Sequence, residues 1–249
     1  MATSRGARRH LPIGLSATPH RIFRSQQGIP MSEIDLMARY PKTKRKDIIE
    51  ERVQASEADR EIARRFDKAY FDGPRRLGLG GYHYNPKFFT PVVEDMISHY
   101  GLTGNSSVLD VGCAKGFMLH DFKIALPDIT VAGIDISDYC LQNAMPDVAQ
   151  FLRHASCDLL PFPDKSFDLV ISIATIHNLD LEGVKRSLRE IMRVSRKHAF
   201  IKVNGYHTDA ERDALHRWNL VAKTILHVDE WQAIFTETQY LGDYYWFTP

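Results

Sequence analysis

The chain has 249 residues, 44% apolar and 25% charged, which is enough for one α/β domain with a substantial core. No apolar run approaches the roughly 20 residues that span a bilayer, so an integral membrane helix is excluded. The formal charge of +1 conceals a basic first segment, and residues 31–249 hold 27 basic against 31 acidic groups, without the surplus of a general nucleic-acid binder.

Residues 1–30 carry Arg5, Arg8, Arg9, Arg21 and Arg24 and no acid. This segment reads as extra sequence upstream of a start at Met31, as a disordered basic arm, or as a targeting peptide, and in each case stands outside the folded core. Residues 31–249 are expected to form a single domain, with residues 31–100 as an N-terminal helical cap and 101–249 as the core. From Lys44 to Tyr70 the apolar positions Ile48, Ile49, Val53, Ile62 and Phe66 predict one or two amphipathic helices. Phe71-Asp72-Gly73-Pro74 breaks that pattern. A glycine-rich aromatic loop, Leu77 to Pro86, then precedes a helix from about Lys87 to His99. The Gly-Gly-Tyr hinge with Tyr82, Tyr84, Phe88 and Phe89 suits either a closing lid or core filling.

Val108 to Val111 predicts a first strand, followed by the small-residue turn Gly112-Cys113-Ala114-Lys115-Gly116 and a helix. Val131 to Ile134 predicts a second strand with Asp135 at its end. A strand, a tight turn, a helix and an acid after the next strand are how a Rossmann-like half-domain holds a nucleoside cofactor. Dinucleotide enzymes require a third glycine for close helix packing, and Phe117 stands in that position. Gln150 to His154 predicts a weak third strand, Asp168 to Ile173 a fourth, Leu181 to Val194 a helix and His198 to Asn204 a fifth strand. Residues 205–227 look like an inserted helical lid. Val228 to Phe235 follows as a helix, and Leu241 to Phe247 is the one further strand. The alternation predicts a Rossmann-like, doubly wound, mainly parallel sheet with helices on both faces.

Asp110, Gly112 and Gly116, with Ala114 for the middle glycine, resemble motif I of the class I S-adenosylmethionine-dependent methyltransferases. Leu160-Pro161-Phe162 with Ser166-Phe167-Asp168-Leu169-Val170 resembles the stretch leading into the fourth strand of small-molecule members, including the ubiquinone-biosynthesis-like group. The resemblance implies S-adenosylmethionine as cofactor, with Asp110, Gly112, Cys113, Ala114 and Gly116 around its methionine half and Asp135 on the ribose hydroxyls, beside Ile136. A carboxylate suits a vicinal diol because it accepts two hydrogen bonds at once. The adenine-contacting acid of relatives falls at Ser156, next to Cys157. Either Ser156 serves, or the loop shifts and Asp158 takes the amino group. Ile173 closes the cofactor list. The family's sheet normally ends in two strands, the last antiparallel, so this sheet is expected one strand short.

Methyl transfer from a sulfonium needs alignment of the acceptor and exclusion of water more than covalent catalysis. His177, behind the fourth strand, is the candidate general base, with a structural role as the alternative. Asn204, Tyr206 and His207 occupy a second pocket position. The run Asp243-Tyr244-Tyr245-Trp246-Phe247 reads as strand packing before substrate stacking. The histidines and acids form no metal-ligand spacing, so no metal is expected. The Asn/Asp-Pro-Pro-Tyr/Phe signature of nucleic-acid and protein amino methylation is absent after the fourth strand, which favours a small-molecule acceptor, at oxygen or nitrogen before carbon. Cys113, Cys140 and Cys157 have neither metal spacing nor a disulfide framework, which points to a reducing, cytoplasmic setting. The competing readings are an NAD(P)-dependent oxidoreductase on a related fold and a cofactor-binding protein without turnover. Departures from the family pattern, Ser156 and the Val194-Ser195-Arg196-Lys197-His198 junction, keep the second of these open.

Overall fold

The alternation of the buried central strands between two cores sets the architecture of the computed structural model, which describes residues 1, 31–41 and 55–248. The basic segment 2–30 and positions 42–54 of the expected amphipathic helices lie outside the described residues. Seven strands form the sheet: β1 (Ser107–Val111), β2 (Thr130–Asp135), β3 (Leu152–His154), β4 (Phe167–Ile173), β5 (Ser195–Tyr206), β6 (Leu226–His227) and β7 (Asp243–Phe247). Leu109, Val111 and Val170 pack into one core, and Val108, Leu169 and Ile171 into the other. Side chains that alternate between two buried faces require helices on both sides.

The helices supply those layers. On one face α6 (Leu181–Val194) and α8 (Val228–Thr238) bury Val184, Leu188, Ile191, Trp231 and Phe235. On the other, α3 (Pro86–Tyr100) and α4 (Phe117–Ala125) bury Val92, Met96, Leu119 and Phe122. Helix α6 starts where the Asp180 side chain accepts from Gly183 N at 2.8 Å, one of the first-turn donors that a helix leaves unpaired.

The strand order is β3-β2-β1-β4-β5, with β7 and the short β6 both paired to β5, and every strand pairing is parallel. The order reverses between β1 and β4, and ligands of open α/β sheets bind beyond the carboxyl ends at such a switch point. As expected, one strand follows α8. It lies parallel against β5, in register from Phe200↔Asp243 to Asn204↔Phe247. Its outer edge is met by the N-terminal segment: Ile34 N donates to Tyr244 O at 2.9 Å and Tyr244 N to Ser32 O at 3.0 Å.

Among the boundaries that differ from the sequence reading are the starts of β5 and β3. Strand β5 begins at Ser195 and not at the expected His198, because Arg196 and Lys197 reach Asp168 at 2.7 and 3.0 Å and carry the backbone into the sheet. Strand β3 begins at Leu152, after a 3-10 turn over Ala149–Phe151. Before α3, the cap contains α1 (Glu57–Ala63) and α2 (Lys68–Phe71); α5 (Asp138–Gln142) follows β2, and the insertion after β5 contains α7 (Asp209–Trp218).

Candidate active site

The turn after β1 is built on left-handed backbone at Gly112 (φ 88°), Ala114 (φ 47°) and Gly116 (φ 76°). Any side chain at Gly112 would collide with Thr175, whose Oγ1 lies 2.0 Å from the position a Cβ would take. The turn is pinned to β2: Gly112 N and Cys113 N both donate to Ile134 O, at 2.8 and 3.0 Å. Gly116 then opens α4 as its N-cap.

These bonds leave Asp135 with a fixed orientation. Its Oδ2 accepts from Ala114 N and its Oδ1 from Ser137 N, both at 2.8 Å. Burial raises its pKa, and the hydrogen bonds from the Ser137, Ala114 and Ile136 backbones oppose the rise. Ile136 beside it is 47% exposed, an apolar surface next to a buried carboxylate. Asp110, inside β1, is pushed up to about 7 by burial, with the Asp135 charge adding to the effect.

A cavity of about 820 Å³ opens beyond the strand ends. Of the residues expected to hold the cofactor, Gly112, Ala114, Asp135, Ile136, Ser156, Cys157 and Ile173 line it. Asp110, Cys113, Gly116 and Asp158 do not. Between the two adenine readings the geometry favours Ser156: Asp158 is turned away to Arg186, which reaches its Oδ2 at 2.7 and 3.1 Å. Ser156 Oγ donates to Asp158 Oδ1 at 2.5 Å, and that bond, ahead of the Arg186 charge, holds the Asp158 carboxyl low. The fit to S-adenosylmethionine is good on these terms. A backbone-oriented carboxylate is available for a diol, an exposed isoleucine for a planar base, and a glycine turn for close backbone approach.

His177 lines the far side of the cavity and is 2% exposed. Its Nδ1 accepts from Asn204 N at 3.3 Å, which leaves the ring proton on Nε2. Burial, and then the nearby Lys202 charge, push its pKa down to about 3. The expected general-base role does not suit this geometry, because the ring's lone pair is engaged and the neutral imidazole presents a donor instead. Asn204 also lines the cavity, whereas Tyr206 and His207 do not. His207 sits outside, its backbone N donating to Glu211.

The roof comes from the cap and the insertion. Tyr82, Phe88 and Phe89 line the cavity, while Tyr84 is drawn off to Asp121 at 2.5 Å. In β7, Tyr245 and Phe247 line the cavity, while Tyr244 and Trp246 pack into the core as the strand-packing reading expects. The sequence reading missed Arg64, Phe66, Tyr70, Lys202, Trp218 and Lys223 as lining residues. Lys202 had a readable signal in its alternation with the buried Ile201 and Val203.

It also missed the tie across the roof. Lys115, in the turn itself, extends Nζ to Asp72 Oδ2 at 2.7 Å and to Tyr82 O at 2.8 Å. Asp72 further accepts from Tyr139 OH at 2.5 Å and Tyr82 N at 2.7 Å. Burial alone would raise the Asp72 pKa, but these bonds outweigh it and hold the carboxyl at about 2. No cluster of three His, Cys, Asp or Glu with metal-binding geometry occurs among the described residues, and no described helix is long and apolar enough to cross a membrane.

Comparison with known proteins places this geometry. Residues 109–202 match the family model of a methyltransferase domain. The chain is 29% identical over 155 residues to the ubiquinone/menaquinone biosynthesis C-methyltransferase UbiE of Hahella chejuensis, covering 58% of this chain and 59% of that protein. It is 31% identical over 104 residues to a sterol 24-C-methyltransferase of Pneumocystis carinii, covering 38% and 27%. It is 31% identical over 133 residues to a tRNA (carboxymethyluridine(34)-5-O)-methyltransferase of Arabidopsis thaliana, covering 52% and 31%. The chain thus spans between about a quarter and three fifths of the length of these relatives. Among solved structures, the YcgJ protein of Bacillus subtilis overlays with a TM-score of 0.49 at 22% identity, over 59% of this chain and 67% of its own. The segment that matches the methyltransferase-domain model runs from β1 through the glycine turn and Asp135 to β5.

Proposed function

We propose that the chain transfers a methyl group from S-adenosylmethionine to a small molecule, at oxygen or nitrogen before carbon. The carrying observation is one continuous cavity with two differently built ends. Asp135, oriented by two backbone N–H groups and flanked by the exposed Ile136, suits the nucleoside, while His177, Asn178 and Asn204 offer polar contacts at the other end. A polar floor is suited to a heteroatom acceptor. Bound S-adenosylmethionine would supply the sulfonium-activated methyl. The protein's own residues would bind, align the acceptor and keep water out, the terms that dominate such displacements. Nucleic acid and membrane are not among the proposed partners: the body of the chain has no basic surplus, and the cavity is roofed by aromatic side chains.

Calorimetry tests the reading. Titration with S-adenosylmethionine, S-adenosylhomocysteine and NADH is expected to give binding of the first two, the product at least comparable to the donor, and none of the third. Binding of NADH alone would instead favour the oxidoreductase. Binding of both sulfur nucleosides without turnover on any screened phenol, carboxylic acid or amine would favour the cofactor-binding protein.

A further inference from the structure

At the acceptor end of the cavity one buried hydrogen-bond donor has no partner among the described residues. Asn204 is 3% exposed and lines the cavity, and its Nδ2 has no hydrogen-bond partner among the described residues. An unpaired buried amide is unfavourable, and a ligand oxygen would relieve it. The residue is held in place from both sides of its backbone: its N–H donates to His177 Nδ1 at 3.3 Å, and its carbonyl accepts from Trp231 Nε1 at 2.8 Å. The first of these bonds places the ring proton of His177, which lines the same cavity, on Nε2.

Positive charge accompanies the donors. Lys202 stands two residues before Asn204 on the same face of β5 and lines the same cavity, its Nζ 4.4 Å from the centroid of the Phe247 ring. The nearest part of the insertion joins in, since Lys223 N and Thr224 N both donate to His177 O, at 3.1 and 3.0 Å. Among the described residues, the acids lining the cavity are Asp135, engaged by the turn after β1, and Asp35, which accepts from Met37 N at 3.0 Å. The walls above are aromatic, with Tyr40 tilted against Phe88 and Phe89 at 5.3 Å and Trp218 against Phe247 at 5.9 Å.

We propose that His177 Nε2–H, Asn204 Nδ2 and the Lys202 ammonium form an oxyanion subsite, so that the acceptor is a phenol bound as its phenolate. This inference rests on the methyl-transfer reading above. It also gives His177 a role other than that of a base. The phenol's proton leaves to solvent on binding; the ionised oxygen then forms its bond to the methyl carbon as the carbon–sulfur bond breaks, sulfur keeps the electron pair, the two opposite charges cancel and no proton moves in the transfer itself. Donors placed around the oxygen in a water-excluded site favour the anion over the neutral phenol.

The test uses 4-nitrophenol as probe with the full chain saturated in S-adenosylhomocysteine, at a pH below the free phenol's own pKa. The expected result is that bound probe develops the yellow absorption of its anion. His177→Leu and Asn204→Leu should each weaken the probe by about tenfold or more and abolish the colour, while His177→Gln, which restores an N–H, should recover most of both. Unchanged affinity for S-adenosylhomocysteine certifies that each variant is folded. Probe bound in the colourless form, variants indistinguishable from the wild type, or no binding of 4-nitrophenol would overturn the subsite. Benzoate displacing the probe with higher affinity would replace the phenolate by a carboxylate. Failure of S-adenosylhomocysteine to bind the wild-type chain would defeat the underlying methyl-transfer reading instead.

Discussion

Removing the Asp72 carboxylate should both destabilise the fold and loosen the cofactor turn. Lys115 and Asp72 form a close ion pair, with side chains only 7% and 13% exposed. In Asp72→Ala the ammonium keeps Tyr82 O, at 2.8 Å, and the Tyr82 and Tyr139 rings, at 5.9 and 5.4 Å, but no counter-charge. Stranding a buried charge costs about 3 to 5 kcal/mol, and a pair this near solvent belongs at the lower end, about 3. For a domain of this size each kcal/mol lowers the melting temperature by about 2 to 4 °C, so a fall of about 6 to 12 °C is expected in thermal unfolding. Adding Lys115→Met removes the stranded charge and should return at least half of the loss. The carboxyl sits at about 2 against 3.8 for the free group, so its stabilisation is fully present above 3.8 and is lost as pH falls through about 2. Asp72→Ala should flatten that acid limb. A loss below about 1 kcal/mol, or additive effects in the double variant, would refute the buried-pair reasoning.

Three further outcomes follow from the site. Asp135→Ala should weaken S-adenosylmethionine binding by about 1.5 to 3 kcal/mol in calorimetry, the scale of hydrogen bonds to a charged group. His177 is neutral throughout the physiological range with its pKa at about 3, so the pH profile of kcat/KM should show no limb near 6.5. His177→Gln should then slow turnover by less than about tenfold, against the roughly 10² to 10⁴ expected on losing a general base. Gly112→Ala places a Cβ 2.0 Å from Thr175 Oγ1 at φ 88°, and should lower stability by about 3 kcal/mol or more in urea unfolding.

The fold was legible where burial imposes a single period. Helix α6 was read with both boundaries correct because Asp180 caps it and its apolar residues recur at helical spacing. The start of β5 was missed because Arg196 and Lys197 look like a solvated turn until Asp168, 28 residues earlier than Arg196, becomes their partner. At the site, Asp135 was visible as a lone acid ending an apolar run. The Asp72–Lys115 tie was not, since 43 residues separate the partners and neither stands in a periodic pattern. The role of His177 depends on its tautomer, which a backbone N–H 27 residues away decides. No local pattern encodes that choice.

Strand β7 links the closure of the sheet to the shape of the acceptor pocket. Its outward edge takes the N-terminal segment through Ile34 and Ser32, and Asp243 adds bonds from Ser32 N at 3.1 Å and Tyr100 OH at 3.1 Å. That pairing leads the following residues, Asp35 to Pro41, onto the cavity, where Tyr40 meets Phe88 and Phe89. The inward side of the same strand contributes Tyr245 and Phe247 to the wall, and Phe247 meets both Lys202 and Trp218 of the insertion. Segments far apart in sequence therefore converge on one parallel strand, in the place where relatives are expected to close the sheet with an antiparallel one. The cofactor half of the cavity rests on β1, β2 and their turns, and on backbone bonds that tolerate little change. The acceptor half rests on side chains carried by β5, β7, the insertion and the cap. Substitutions at Phe247, Trp218 or Tyr40 should accordingly alter acceptor choice while S-adenosylmethionine affinity holds, whereas those at Gly112 or Asp135 should weaken S-adenosylmethionine binding itself.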